Sequence, residues 1–296
     1  MTTTIRYITA CAALVFAPVP ASVSGGALAS PSRVTHPHQD AVLAAVIASK
    51  QRPQNDRDRD RYRHPRQTLT FWGLKPGMTV VELVPEGGYW TEILGPYLKQ
   101  TKGTYIAGVA DLSDPNLNDG LRVVRQVFEA KHANQQRYGA FRYTGFGAVS
   151  GPLAAPDSVD MIIASREIHN WIRQGFFDKA MRDCFAALKP GGVLAVEQHR
   201  ADPYVEQLTR PGSFTGYVAT QTVIDVARKA GFVLDASSEI NANRKDIKIY
   251  PFGVWTLAPV RRSDGDGHPA LTDAERDRYD AIGESDRMTL RFRKPL

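Results

Sequence analysis

The sequence has only two cysteines in 296 residues, Cys11 and Cys184. Cys11 lies in an apolar leader expected to be removed, which leaves Cys184 without a partner and excludes an internal disulfide. Cys184 sits on the apolar face of an expected helix and reads as a small core residue. His36-Pro37-His38 is too isolated to make a metal site, and no metal is expected. There are no internal repeats, and low complexity is confined to one Asp/Arg run. Charge of one sign is also scarce: the net charge is +6 and the isoelectric point about 9.3, with acids and bases interspersed. That balance gives no basic stripe, so no nucleic acid is expected as a partner.

The first long apolar run, Tyr7 to Val19, is too short for a stop-transfer helix and reads as a signal peptide. Cleavage is expected after Ala21, with Ala29 as the second candidate. The mature chain would then be exported to the periplasm and have no stable membrane insertion. Residues 22–66 read as a leader and an N-terminal helical extension, and 67–296 as the main domain. In the extension, Asp40 to Lys50 are alanine-rich and helical, with Asp40 as N-cap. Asp56 to Pro65 alternate acid and base. They form either a solvated, self-paired face or an arch that brings Arg63 and His64 over the site described next.

The remainder is organised around Val80-Val81-Glu82-Leu83-Val84-Pro85-Glu86-Gly87-Gly88-Tyr89-Trp90-Thr91. Val80 to Val84 form a short apolar run suited to a buried strand. From Trp90, apolar residues at 90, 93, 94, 97 and 98 mark one helix face. A strand, a glycine turn and a helix bring backbone close to a ligand and aim helix N–H groups at it. The acid at the strand's end can accept hydrogen bonds from that ligand.

Further strands are expected at Thr104 to Val109, Phe141 to Phe146, Val159 to Ala164, Val193 to Glu197, Phe232 to Ser237 and Arg287 to Arg293, with a shorter one at Gly253 to Leu257. Helices are expected at Gln67 to Trp72, Leu117 to Tyr138, Trp171 to Leu188, Thr220 to Ala230 and Thr272 to Ile282. This alternation predicts an α/β fold with a mostly parallel sheet covered on both faces. In such sheets ligands bind at the carboxyl ends of strands. Asp111 follows the second strand, Ser165 to Trp171 the fourth, and Gln198-His199-Arg200 the fifth.

These residues resemble the class I S-adenosylmethionine-dependent methyltransferases, and more closely a group of predicted exported methyltransferases. The resemblance runs from about Arg61 to Pro295. It rests on Val81 to Gly88, on Asp160 to Trp171 and on Leu188-Lys-Pro-Gly-Gly192. More particular stretches are Tyr62 to Pro65, Gly216-Tyr-Val218, Ile240-Asn-Ala-Asn243, Gly253-Val-Trp-Thr256 and Ile282 to Thr289. It implies a Rossmann-like, doubly wound sheet of seven strands with an antiparallel strand, Arg287 to Arg293, inserted at the edge. It implies S-adenosylmethionine as cofactor, held by Glu82, Pro85, Gly87, Gly88 and Tyr89, with Asp111 on its ribose. The family's usual glycines two and four residues after the acid are replaced here by Val84 and Glu86.

The implied chemistry is methyl transfer to a small-molecule acceptor, an in-line displacement in which positioning supplies much of the acceleration. His169 and His199 are the candidate bases, with Asn170 orienting polar groups. Each histidine is equally readable as a hydrogen-bonded structural residue. No Asn-Pro-Pro-Tyr element follows the fourth strand, which weighs against amino-group methylation of bases or glutamine. The rival expectation is a non-catalytic ligand-binding protein on the same fold in the cell envelope. Oligomeric state is left open.

Overall fold

The computed structural model describes residues 37–202, 214–265 and 267–296. The expected signal peptide, the leader up to residue 36 and the Arg210-Pro-Gly212 loop lie outside them. The architecture is that of the unit from His36 to Leu296.

Seven strands form one sheet: β1 (Thr79–Leu83), β2 (Thr104–Val109), β3 (Arg142–Gly145), β4 (Val159–Ser165), β5 (Leu188–His199), β6 (Val233–Ser238) and β7 (Arg287–Arg293). Their order is β3-β2-β1-β4-β5-β7-β6. β7 runs antiparallel to both of its neighbours, and the other ladders are parallel. The antiparallel strand expected at the edge thus lies one place in, between β5 and β6.

The central strands alternate between two cores, as a period of two requires. Val81 and Leu83 of β1, Ile162 and Ala164 of β4, and Leu194 and Val196 of β5 face one core. Val80, Met161, Ile163, Val193 and Ala195 face the other. The first core is closed by α7 (Ile168–Arg173), α8 (Phe177–Ala187) and α9 (Thr220–Lys229) through Trp171, Met181, Cys184 and Val223. The second is closed by α1 (Pro37–Ala48), α3 (Pro65–Trp72), α4 (Thr91–Gln100) and α5 (Asp119–Lys131) through Leu43, Trp72, Ile93 and Phe128. The helix face expected from Trp90 onward is the buried one: Trp90, Ile93, Leu94, Tyr97 and Leu98 are all in this core.

Several boundaries differ from expectation. α1 starts at Pro37, so Asp40 lies inside its first turn and is not its cap. The helix expected from Leu117 to Tyr138 is two: α5 ends at Lys131, and Asn134 accepts from Arg137 N to start α6 (Gln135–Tyr138). The break leaves His132 free to turn under the loop after β1. The helix expected from Trp171 splits at Gly175, whose φ of +73° ends α7 before α8 begins. Gly253–Thr256 is a 3-10 turn and not a strand, because Gly253 holds φ +54° against the backbone of Thr215. β5 continues two residues past Glu197 because β7 pairs with it through His199. α10 (Asp273–Asp280) carries the expected Thr272 cap, completed by Glu275 as a capping box.

The Asp/Arg run forms α2 (Gln54–Arg63). It is neither wholly solvated nor apolar. Asp56 and Arg63 are its buried residues, so it is fastened to the body through charge.

Candidate functional site

Strand β1 pairs with β2 on one side and β4 on the other, and their crossovers leave in opposite directions. This makes the carboxyl ends of β1 and β4 the switch point of the sheet. A cleft of about 480 Å³ opens there, lined by the loop after β1, by Ser165 at the end of β4 with Arg166 and Glu167 beyond it, and by Asp56, Arg59 and Arg63 of α2. Arg63 therefore lines the same cleft as Glu82, as one reading of the charged run expected. His64 turns away, its Nδ1 3.4 Å from Asn241 Oδ1.

Glu82 is 3% exposed. Its Oε2 accepts from Thr91 Oγ1 at 2.8 Å and from Tyr105 OH at 2.7 Å. Oε1 has no hydrogen-bond partner among the described residues. Burial pushes the carboxyl up to about 7, against the pull of those two donors and of Arg63.

The loop that follows has an unusual backbone. Val84, Glu86 and Gly88 hold φ +48°, +43° and +81°. Positive φ at a β-branched residue is an outlier and costs on the order of 1–3 kcal/mol. Val84 and Glu86 thus hold a left-handed conformation without being glycine. The loop is held from outside: Val84 N donates to Gly108 O at 2.8 Å, and Lys131 Nζ donates to Gly87 O at 2.7 Å. A Cβ on Gly88 would stand 2.8 Å from the His132 ring, whereas one on Gly87 would meet nothing within 4 Å.

Behind the cleft lies a buried ionic cluster. Arg63 Nη2 donates to Glu197 Oε2 at 2.7 Å and to Ser165 Oγ at 3.0 Å. Ser165 Oγ also receives Trp90 Nε1 at 3.0 Å and donates to Glu197 at 2.7 Å. Arg287 pairs with Glu197 at 2.7 Å and with Glu284 at 3.0 Å, and Glu284 also meets Arg59 at 2.5 Å and Arg166 at 3.4 Å. Arg59 also meets Asp56 at 3.8 Å, so four guanidiniums share three carboxylates, a surplus of one positive charge. Burial alone would raise Glu197 and Glu284. The arginines overcome it and hold both below the usual carboxylate range. Burial, with Arg63 nearby, lowers Arg166 to about 10.

Two further carboxyls face the same cleft. Burial and the neighbouring Glu86 raise Glu167 to about 8, and burial raises Glu86 despite Arg166. Asn170 Nδ2 donates to Glu167 Oε2 at 2.9 Å.

Tyr89 does not present an open face to the cleft. Its ring carries Arg63 at 4.1 Å, Arg59 at 5.2 Å and Arg52 at 5.5 Å, and its hydroxyl donates to Asp60 at 2.7 Å. Asp111 lies outside this cleft. Its Oδ1 accepts from Ser113 N at 2.9 Å and Oγ at 2.7 Å, which lowers its pKa. It follows Ala110, which with Val84, Pro85, Val109, Leu121 and Phe128 lines an apolar recess of about 400 Å³ beyond the loop.

His169 and His199 come together, their rings 5.6 Å apart, but in a separate aromatic cluster with Phe214, Tyr217 and Trp255. Gln198 Nε2 lies 3.1 Å from both His169 Nδ1 and Gly216 O. A carbonyl only accepts, so the amide nitrogen faces it, His169 Nδ1 accepts, and the ring proton is on Nε2. His199 Nδ1 is 2.5 Å from Ser285 Oγ. Burial pushes His169 down to about 4, and burial with Arg166 nearby pushes His199 well below its ordinary value. Both rings are neutral at neutral pH.

Sequence reasoning missed Glu197, Glu284 and Arg287. β7 is antiparallel, so its first residue lies at the carboxyl edge of the sheet, with Arg287 opposite His199. The direction of β7 was the signal that could have brought 284 and 287 to the site. No group of His, Cys, Asp and Glu suited to a metal occurs among the described residues, and no helix among them is long and apolar enough to cross a membrane.

No family profile matches the chain, and no curated protein matches it by sequence. Among solved structures it is similar to the cyclase SpnF, at 13% identity over 87% of this chain and 93% of that one, with a TM-score of 0.49. It is similar to a SAM-dependent methyltransferase from Aquifex aeolicus, at 16% identity over 68% and 93% of the two chains, with a TM-score of 0.45. A SAM-dependent methyltransferase from Methanosarcina mazei matches at 10% identity over 77% and 97%, with a TM-score of 0.47.

Proposed function

We propose that the protein transfers a methyl group from S-adenosylmethionine to a small-molecule acceptor. One observation carries this reading: Glu82, buried at the tip of β1, is followed at the switch point by a turn with left-handed backbone at residues 84, 86 and 88. A loop that keeps this course with valine and glutamate in two of those places bears strain that a plain βα turn does not need.

The residues present fit the cofactor's amino-acid end. The cleft sets guanidiniums against carboxyls, which suits a zwitterion, and the Nε of Arg63 on its wall has no hydrogen-bond partner among the described residues. Arg63 and Arg166 would hold the carboxylate, and Glu82 Oε1 the ammonium group. Pro85 and Gly87 would border the ligand. Gly88 serves the loop's own packing on His132, and Tyr89 acts through the arginines stacked on it. Asp111 would take ribose hydroxyls through Oδ2, beside the apolar recess. When bound, the cofactor supplies a methyl group on a positively charged sulfur. The protein's part is then orientation of the acceptor. His169 and His199 serve as neutral hydrogen-bonding groups beside it. A ring that titrates near 4 is a weak base at neutral pH, so the expectation of a histidine base gives way to a positioning role. Asn170 orients Glu167. The apolar leader supports a periplasmic site of action.

Calorimetric titration of the full chain with S-adenosylmethionine and S-adenosylhomocysteine tests the reading. Saturable binding below millimolar ligand is expected, followed by labelled methyl transfer in a screen of phenols, amines and thiols. No saturable binding would overturn the cofactor assignment. Binding with no transfer to any acceptor class would favour the non-catalytic alternative.

A further inference from the structure

Both amide hydrogens of Gln198 are used. Nε2 lies 3.1 Å from Gly216 O and 3.1 Å from His169 Nδ1. The side chain is fully buried, so the amide has no solvent to turn to. The opposite orientation would set Oε1 against a carbonyl oxygen. The amide keeps its orientation although this leaves Oε1 buried without a partner among the described residues. His169 Nδ1 must therefore accept, and the ring of the neutral side chain carries its proton on Nε2. A histidine base is held the other way round. Its Nδ1–H donates to a carboxylate or carbonyl, and the lone pair on Nε2 takes the proton.

No carboxyl among the described residues is bonded to either histidine ring. The flanking ones have other partners: Glu167 accepts from Asn170 at 2.9 Å, Glu197 from Arg63 at 2.7 Å, and Glu284 pairs with Arg287 at 3.0 Å. The permanent charges that weigh most on the two rings are all positive, Arg166 and Arg173 on His169, and Arg166, Arg287 and Arg63 on His199. The Arg173 guanidinium lies 4.6 Å from the Phe214 ring, which lies 5.6 Å from that of His169.

Resting on the reading above, we infer that the methyl acceptor binds with its nucleophilic oxygen or sulfur already ionised, and that Gln198 is the positioning residue that makes His169 an N–H donor toward it. The acceptor class is a small thiolate, phenolate or carboxylate. The anion attacks the methyl carbon, a new C–O or C–S bond forms, and the electron pair of the broken C–S bond stays on the cofactor's sulfur. One negative and one positive charge are consumed together, so the step releases no proton and needs no base. A neutral alcohol would have to lose a proton, and His169 has no lone pair placed to take it. An ammonium would in addition be repelled by the arginines around the rings.

The first test is ¹⁵N NMR of the histidine rings in the full chain at pH 7. His169 should show a protonated Nε2 and a bare Nδ1. In Gln198→Glu the carboxylate accepts from Nδ1–H, so the two nitrogens should exchange character. Turnover of ionised acceptors should fall in that variant while KM for S-adenosylmethionine stays unchanged. The second test is the pH profile of the unsubstituted protein with thiols and phenols of graded acidity. For each acceptor kcat/KM should rise about ten-fold per pH unit below the acceptor's own pKa and level off above it. Carboxylic acids should show no rising limb above pH 6, and alcohols and alkyl amines should not react. A proton on Nδ1 of His169 in the unsubstituted protein would overturn the inference even if the variant fails to fold. So would one rising limb shared by all acceptors whatever their acidity, or methylation of alcohols and amines alone. No saturable binding of S-adenosylmethionine would instead overturn the cofactor reading.

Discussion

Arg63 and Glu197 meet at 2.7 Å in the interior, with side chains 4% and 0% exposed. The pair belongs to a cluster with more guanidiniums than carboxylates, so its two members are not equivalent. Removing Glu197 leaves Arg63 and Arg287 without their shared counter-charge. Removing Arg63 relieves part of a surplus. Loss of one partner of a buried ion pair costs about 3–5 kcal/mol. Glu197→Gln is expected in that range and Arg63→Gln below it. Urea unfolding of both variants checks the order, and a larger loss for Arg63→Gln would show that the surplus charge is otherwise neutralised.

The two adjacent glycines make an internal comparison. Gly87 has open space where a Cβ would go, while Gly88 has the His132 ring at 2.8 Å and φ +81°. Gly88→Ala is expected to lower stability by roughly 1–3 kcal/mol and to weaken ligand binding by shifting the loop. Gly87→Ala is expected to leave stability nearly unchanged, and any effect it has on ligand affinity reports direct contact. Thermal melting with and without S-adenosylhomocysteine separates the two cases.

The neutral histidines make stability depend on acid. His169 titrates near 4 when folded and at 6.5 as an unperturbed side chain. Below 6.5 the unfolded chain takes up a proton that the folded one refuses, so stability falls as pH drops from 6.5 toward 4. Above 6.5 the effect is absent. Denaturant midpoints at pH 5 and pH 7 should therefore differ less in His169→Gln than in the unsubstituted protein. Activity should show no rising limb near pH 6.5 assignable to either histidine.

The leader gives a prediction of its own. Tyr7 to Val19 followed by Pro20-Ala21 implies a mature protein beginning near Ser22, with Ser30 as the alternative. N-terminal sequencing of protein recovered from the periplasm of its host decides between them. An intact Met1 in the cytoplasmic fraction would remove export from the account.

Much of the fold was legible because the central strands are buried on both faces and announce themselves as apolar runs. Thr104–Val109 and Arg287–Arg293 begin and end where the pattern places them. Helix breaks were not legible at His132 and Gly175, since the apolar spacing continues through both while backbone geometry does not. At the site, Glu82, Gly87 and Gly88 could be found from local pattern alone. The partners of Arg63 could not. An alternating Asp/Arg run looks alike whether its counter-charges are its own neighbours or lie 134 residues away, as Glu197 does. The histidine pair was visible as two residues after two strands, but its neutrality comes from burial contributed by distant segments.

The position of β7 also sets an order in time. Among the described residues β6 has no sheet neighbour other than β7, and β7 follows it by about fifty residues of chain. A growing or translocating chain that has presented β6 must hold it unpaired until Arg287–Arg293 arrives. Glu284 and Arg287 come with that same segment, so the ionic cluster behind the cleft is assembled by the event that seals the sheet. A molecule interrupted before that point carries Arg63 and Glu82 in sequence but has not yet gained Glu284, which pairs with Arg59 and Arg166.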